Sequence, residues 1–251
     1  MTASDHGTPC WYELSTSDIA GAQAFYATIL GWNVADSGMP GMDYRLGSMG
    51  DAMVSGMMPG EPGIPVAWTI YFAVTNADAT FAQALALGAS PVVPPADIPG
   101  TGRFAIMADP QGAAFGILQP LPGGQGGAWD PIKTGHGNWN ELITADPTAA
   151  LAFYTALFGW DFTQSMPMGP DMTYHFLSWN GTNIGGAFAP APPAPAHWKP
   201  YFGVASANAS IPVIAAAGGT LLRGPDEVPG GAFALQVKDP QGAALGLVGP
   251  K

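Results

Sequence analysis

Two carboxylates stand among aromatic and apolar neighbours: Glu13 in Trp11-Tyr12-Glu13-Leu14, and Glu141 in Trp139-Asn140-Glu141-Leu142. A strand alternates its faces, so Trp11 shares a side with Glu13 and Trp139 shares one with Glu141. A carboxylate flanked this way suits proton transfer, or anchoring of a polar group on a bound molecule. The plain structural reading is that the tryptophans fill a core and the glutamates bond to backbone. His175, in Tyr174-His175-Phe176, is a third candidate, because strand alternation could turn it toward the same cavity as acid, base or hydrogen-bonding group. Arg45, in Tyr44-Arg45-Leu46, is its counterpart by repeat position. His6 and His136 fall in terminal and linker sequence and read as solvated, whereas His197 opens a strand and reads as structural. The sequence has no phosphate loop, no dinucleotide fingerprint and no Ser-His-Asp arrangement.

The elements that must hold these residues come in two copies. Ala24-Phe25-Tyr26-Ala27-Thr28-Ile29-Leu30-Gly31-Trp32 recurs as Ala152-Phe153-Tyr154-Thr155-Ala156-Leu157-Phe158-Gly159-Trp160. Each reads as the last turns of an amphipathic helix stopped by a left-handed glycine, with the tryptophan opening a strand. Asp18 is placed to cap the first helix, and Asp146 followed by Pro147 the second. The strand around Tyr71 is answered by the strand around Tyr201, and the turn Asp109-Pro110-Gln111-Gly112 by Asp239-Pro240-Gln241-Gly242. Each half reads as β-α-β-β-β written twice, so the chain is a tandem repeat. Domains are expected over 9–120 and 138–250. The Pro/Gly-rich stretch 121–137 is expected to be an exposed connection.

Composition narrows the function class. The formal charge of −11 sets an acidic surface against phosphate backbones, which argues against a nucleic-acid partner. Cys10 is the only cysteine, which excludes an internal disulfide and a cysteine-rich zinc site and fits a reducing cytoplasm. No stretch reaches the roughly 18 apolar residues of a membrane span, and the first residues lack the basic start and apolar run of a signal peptide. The expectation is a cytoplasmic protein that does not engage membranes.

The doubled βαβββ pattern, the Phe-Tyr…Gly-Trp helix end and the Asp-Pro-Gln-Gly turn together resemble the vicinal oxygen chelate superfamily. That group includes glyoxalase I, bleomycin-resistance proteins and extradiol dioxygenases. More closely, the chain looks like tandem-domain, glyoxalase-like proteins of actinobacteria that are labelled hydroxylases and occur beside aromatic polyketide pathways. The resemblance implies an α+β fold of two tandem domains, each with two βαβββ modules in a curved, mostly antiparallel eight-stranded sheet. Function does not follow from such a fold and must be argued from the site.

In metal-using members a His or Gln opens the first strand of each module and a Glu lies in the last strand. By that correspondence the ligand positions fall on Trp11, Thr69, Gly116 and the Val54–Gly56 region, and on Trp139, Lys199, Gly246 and the Ile184–Gly186 region. Divalent ions need three or four converging imidazole, carboxylate or thiolate donors, so no metal and no cofactor are expected. Tyr71 and Tyr201, two residues beyond Thr69 and Lys199, should face the same cavity. The expected ligand-binding set is Trp11, Arg45, Tyr71, Trp139, Lys199 and Tyr201, which suits a flat, hydrophobic, aromatic small molecule. Three readings stay open. The protein binds such a molecule, with a pathway oxygenase as a candidate partner. Or it is a cofactor-independent isomerase, cyclase or epoxide-opening enzyme using Glu13 or Glu141 with His175. Or it is a metal-dependent oxygenase or lyase, which the residues oppose.

Overall fold

A computed structural model describes residues 5–61, 63–122, 126–162, 164–170 and 172–251. Residues 1–4 of the expected leader-free start and 123–125 of the expected connection lie outside the described residues. The first half runs β1 (Pro9–Thr16), α1 (Ile19–Leu30), β2 (Asn33–Asp36), β3 (Arg45–Met49), β4 (Ala52–Pro59), β5 (Ala67–Ala73), α2 (Ala77–Ala86), β6 (Ser90–Ile98), β7 (Gly102–Ala108) and β8 (Ala114–Pro120). The second half repeats it as β9 (Gly137–Ile143), α3 (Pro147–Phe158), β10 (Ser165–Gly169), β11 (Met172–Trp179), β12 (Thr182–Phe188), β13 (His197–Gly203), α4 (Ala207–Ala216), β14 (Thr220–Val228), β15 (Ala232–Lys238) and β16 (Ala244–Gly249).

There are two eight-stranded mixed sheets, ordered β2-β3-β4-β1-β5-β8-β7-β6 and β10-β11-β12-β9-β13-β16-β15-β14. Antiparallel pairing predominates among the described strands. Parallel pairs join β1 to β4, β5 to β8, β9 to β12 and β13 to β16. No described helix is long and apolar enough to cross a membrane.

The helix signals act as their chemistry dictates. The Asp18 side chain accepts from the Gly21 amide at 3.0 Å, and Asp146 accepts from Ala149 at 3.0 Å with Pro147 at the first helical position. Gly31 and Gly159 close α1 and α3 at φ 72° and 73°, a conformation costly for any residue with a Cβ. A regular strand follows Trp32 directly. After Trp160 the described residues before β10 show an isolated bridge, Asp161 to Ser178.

The chain folds into two compact units, and neither is a single half of the sequence. One holds Met1–Cys10, Ile70–Gly126 and Asn140–Trp198, and the other Trp11–Thr69, Gly127–Trp139 and Lys199–Lys251. The repeated motifs explain each grouping. In the second unit Tyr26 stacks on Trp32 (ring centroids 5.5 Å, 24°), and Phe202 meets Trp32 edge-on at 5.1 Å. The Trp68 indole donates to the Tyr26 hydroxyl at 3.1 Å, and that hydroxyl donates to Asp239 Oδ2 at 2.9 Å. Asp239 Oδ1 accepts the amides of Gln241 and Ala243 at 3.0 and 2.8 Å, which closes the Asp-Pro-Gln-Gly turn. So the aromatic motif of the first repeat is joined to the turn that ends the second.

The first unit is built the same way from the complementary pieces. Tyr154 stacks on Trp160 (5.3 Å, 20°) beside Phe72, and its hydroxyl takes a bond from Trp198 at 2.9 Å. That hydroxyl donates to Asp109 Oδ2 at 3.1 Å, while Asp109 Oδ1 accepts from Gln111 and Ala113. Burial pushes both aspartates above their ordinary range, against the lowering effect of their hydrogen bonds. Burial and the adjacent carboxylate push both tyrosines well up, so each remains a donor.

The connection differs from its expected form. Within the second unit Gly135 accepts from the Trp32 indole at 2.7 Å and donates to the Gly203 carbonyl at 2.8 Å. His136 is buried rather than solvated, with Nδ1 against the Gly127 carbonyl. His6 is also anchored, its Nε2 3.3 Å from the Leu157 carbonyl in the first unit. Among the described residues of the stretch, 121–122, 126 and 131–134 are exposed, whereas 128 and 135–137 are buried.

Candidate functional site

On β1 the alternation is clean: Tyr12 and Leu14 are fully buried, while Trp11 and Glu13 are half-buried on the other face. Trp11 Nε1 donates to the Tyr44 hydroxyl at 3.1 Å, and that hydroxyl donates to Glu13 Oε2 at 2.8 Å. Burial, then the nearby Glu13 charge, pushes Tyr44 well above the ordinary tyrosine range, so its proton stays on the phenol and points at the carboxylate. Room for this comes from Gly56 on β4, the register partner of Glu13. A Cβ at Gly56 would overlap the Tyr44 hydroxyl.

The other unit holds the corresponding group. Tyr174 donates to Glu141 Oε1 at 3.2 Å, and Gly186, the register partner of Glu141, carries no Cβ where the Tyr174 ring lies. Glu141 is only 7% exposed. Tyr174 also stacks on Phe188 (5.8 Å, 26°), which extends the aromatic wall. Trp139 stands two residues before Glu141 on β9, half-buried.

The second modules repeat the device in a different strand pair. Tyr71 is the register partner of Gly116, and Tyr201 of Gly246. A Cβ on either glycine would overlap the tyrosine ring beside it. Tyr71 lies 6.5 Å from Phe104. Lys199, 6% exposed, places Nζ 5.4 Å from the centre of the Tyr201 ring.

The resemblance therefore points at a set of positions that hold glycines under tyrosine rings, two tryptophans, a threonine and a lysine. These side chains do not fit a divalent-ion centre, since none but a neutral lysine or the hydroxyls of Thr69 and Ser55 could donate at all. Among the described residues no group of three or more His, Cys, Asp or Glu could hold a metal ion.

Two expected site residues lie elsewhere. His175 follows Tyr174 on β11, and alternation turns it to the opposite face. There it lines a shallow groove of about 540 Å³ against α3, with Leu151, Thr155 and Phe162. Arg45 is turned away from Glu13 in the same manner, bonding Gln23 on α1 and pairing with Asp43 at 3.1 Å. The residue before each, Tyr44 and Tyr174, is the one that bonds a glutamate. Glycine inside a strand marks a close approach by another group, and Gly56 and Gly186 carried that signal in the sequence.

This arrangement defines a class: a tandem βαβββ protein whose sheet faces are lined with aromatic rings around single carboxylates. The glyoxalase-like domain family matches residues 11–118, and the glyoxalase/bleomycin resistance protein/dioxygenase superfamily matches 137–247. CFP32 of Mycobacterium tuberculosis, whose name assigns it provisionally to the glyoxylases, is 36% identical over 97% of this chain and 95% of its own. The anthracycline biosynthesis protein DauV of Streptomyces sp. strain C5 is 30% identical over 99% of this chain and 95% of its own. A Mn(II)-bound glyoxalase from Novosphingobium aromaticivorans superposes with a TM-score of 0.68 over 99% of this chain and 83% of its own. At 16% identity that likeness concerns the fold alone. The chain belongs to the glyoxalase/bleomycin-resistance/dioxygenase superfamily, also called the vicinal oxygen chelate superfamily.

Proposed function

We propose that this protein binds a hydrophobic, aromatic small molecule of the polyketide type, in the cytoplasm and without a metal ion, as a sequestering, resistance or helper protein of secondary metabolism. The observation that carries the reading is the replacement of ligand positions by tyrosine rings seated on glycines and by Trp11 and Trp139. Such surfaces favour a flat π-system, which stacks or meets rings edge-on, and the Tyr–Glu pairs offer it a polar contact. The likeness to DauV supports an anthracycline-like guest, and a pathway oxygenase is the partner such a helper would serve.

Tryptophan fluorescence titrated with a multi-ring quinone tests this reading. Wild type should be quenched in a saturable manner, and Trp11→Ala or Trp139→Ala should weaken binding by about tenfold or more. Unchanged affinity in both variants would remove the tryptophans from the site.

A second reading is favoured by one contact. The Tyr44 hydroxyl, held by Trp11 and donating to Glu13, is a short relay of the kind that moves a proton without any cofactor. If the protein transforms its ligand, Glu13→Gln or Glu141→Gln should lower turnover by roughly 10²-fold or more with little change in affinity. If it only binds, the same change should weaken affinity instead, by about 1–3 kcal/mol for a lost bond to a charged group.

A further inference from the structure

The two halves differ where β3 and β11 meet the helix beside them. In the first half a polar chain joins α1 to β3. Gln23 Nε2 donates to the Val34 carbonyl at 3.2 Å, and Gln23 Oε1 accepts from the Arg45 guanidinium, which pairs with Asp43 at 3.1 Å. Matching the closing glycines, Gly31 and Gly159, sets Leu151 in the place of Gln23 and Phe162 in that of Val34. Matching the register pairs Arg45–Met57 and His175–Ala187 sets His175 in the place of Arg45 and Thr173 in that of Asp43. The second half has thus lost the whole polar chain. In its place lies the groove of about 540 Å³, with Leu151, Ala152, Thr155, Phe162 and His175 in its lining.

We infer that this groove binds a small aliphatic carboxylic acid, its chain along α3 and its carboxylate on the His175 imidazole. The first half shows what such a place accepts: an alkyl stem carrying a charged, hydrogen-bonding head, supplied there by Arg45. In the second half Leu151 and Phe162 offer apolar wall to a stem and no acceptor to a cationic head. His175 is the one ionisable side chain in the lining, so the complementary head is an anion. Its ring is half-buried and has no hydrogen-bond partner among the described residues. An imidazole donates to a carboxylate when neutral and makes a charge-assisted bond when protonated. No acidic side chain competes from the elements packed around it, since α3, β10 and β12 carry none. The other ionisable side chains of α3 and β11, Tyr154 and Tyr174, are turned to Asp109 and Glu141. A mostly apolar lining with one polar anchor, at this volume, has the make-up of a small-molecule site.

Backbone amide NMR of the full chain tests this, titrated with octanoate and with octanamide, the same chain without the charge. Neither probe is aromatic, so the outcome is independent of the aromatic-binding reading. In wild type, octanoate should shift resonances of α3 and β11 in a saturable manner, and octanamide should bind roughly tenfold or more weakly. His175→Leu should remove that preference. Leu151→Gln combined with His175→Arg restores the side chains of the first half and should fill the groove. Octanoate binding should then be lost even though a positive charge remains there, which separates a shaped site from simple attraction of anions. If the double variant does not fold, His175→Leu and the comparison of acid with amide decide the matter. Equal affinity of wild type for acid and amide, or octanoate binding retained in a folded double variant, would overturn the inference. So would shifts confined to strands other than β11, or no saturable binding of octanoate at millimolar concentration.

Discussion

Asp239→Ala is expected to destabilise the protein by about 3 kcal/mol or more. The substitution strands three donors at once: the buried Tyr26 hydroxyl and Ala243 amide, and the partly buried amide of Gln241. Each buried donor left unsatisfied costs about 1–3 kcal/mol. Asp239→Asn keeps the Oδ1 acceptor for the turn and should cost less. Chemical denaturation of the two variants checks the order, and equal losses would show that the turn amides contribute nothing.

A pH dependence with a definite sign accompanies this. Burial raises the native-state values of Asp109 and Asp239, so between the unfolded and native values the folded chain holds more protons. The contribution of these two groups is therefore fully present below the unfolded value and is lost as pH rises through the native one. The stability advantage of wild type over Asp239→Asn should grow as the solution is acidified through the range just above that of an ordinary aspartate. An advantage that shrinks on acidification would contradict burial as the dominant influence on Asp239.

Gly246→Ala is the second large effect. Its new Cβ would occupy the space of the Tyr201 ring, which is nearly buried and lies beside Lys199. Overpacking of this kind costs about 1–3 kcal/mol, and the displaced ring would also leave the ligand surface. Affinity for a multi-ring quinone should fall at least tenfold, consistent with a central aromatic anchor. The double variant Gly246→Ala, Tyr201→Ala should be little less stable than Tyr201→Ala alone, because the obstructing ring is gone. Additive losses would mean that glycine and ring are not a coupled seat.

The fold was readable because its signals are local and doubled. Asp18, Gly31, Asp146, Pro147 and Gly159 state helix starts and stops in their own chemistry. The last strand of each half follows an Asp-Pro-Gln-Gly turn, as expected. Strand β6 runs through Pro94 and Pro95 to Ile98, because it is the outermost strand and has register shifts where its prolines fall. What local patterns could not convey is where a motif finds its partner. Tyr26 bonds Asp239 and Tyr154 bonds Asp109, long-range pairings that join one repeat's helix to the other repeat's turn.

The facing of the candidate side chains was legible in part. Glu13, Glu141, Trp11, Tyr71 and Tyr201 fall on the faces that alternation assigns them, whereas Arg45 and His175 face away from the glutamates that Tyr44 and Tyr174 bond. A shift of one residue moves a side chain to the other face of a strand. Arg45 consequently meets α1 and His175 meets α3, while the tyrosines meet the glutamates.

Native mass spectrometry of protein taken directly from its producing cells tests the central claim most directly. Metal-free aromatic binding predicts the mass of the chain plus an organic, aromatic molecule, with no metal ion, and a complex that survives a chelator. A chain carrying about one transition-metal ion, which loses both ion and organic ligand when the chelator is added, would contradict it.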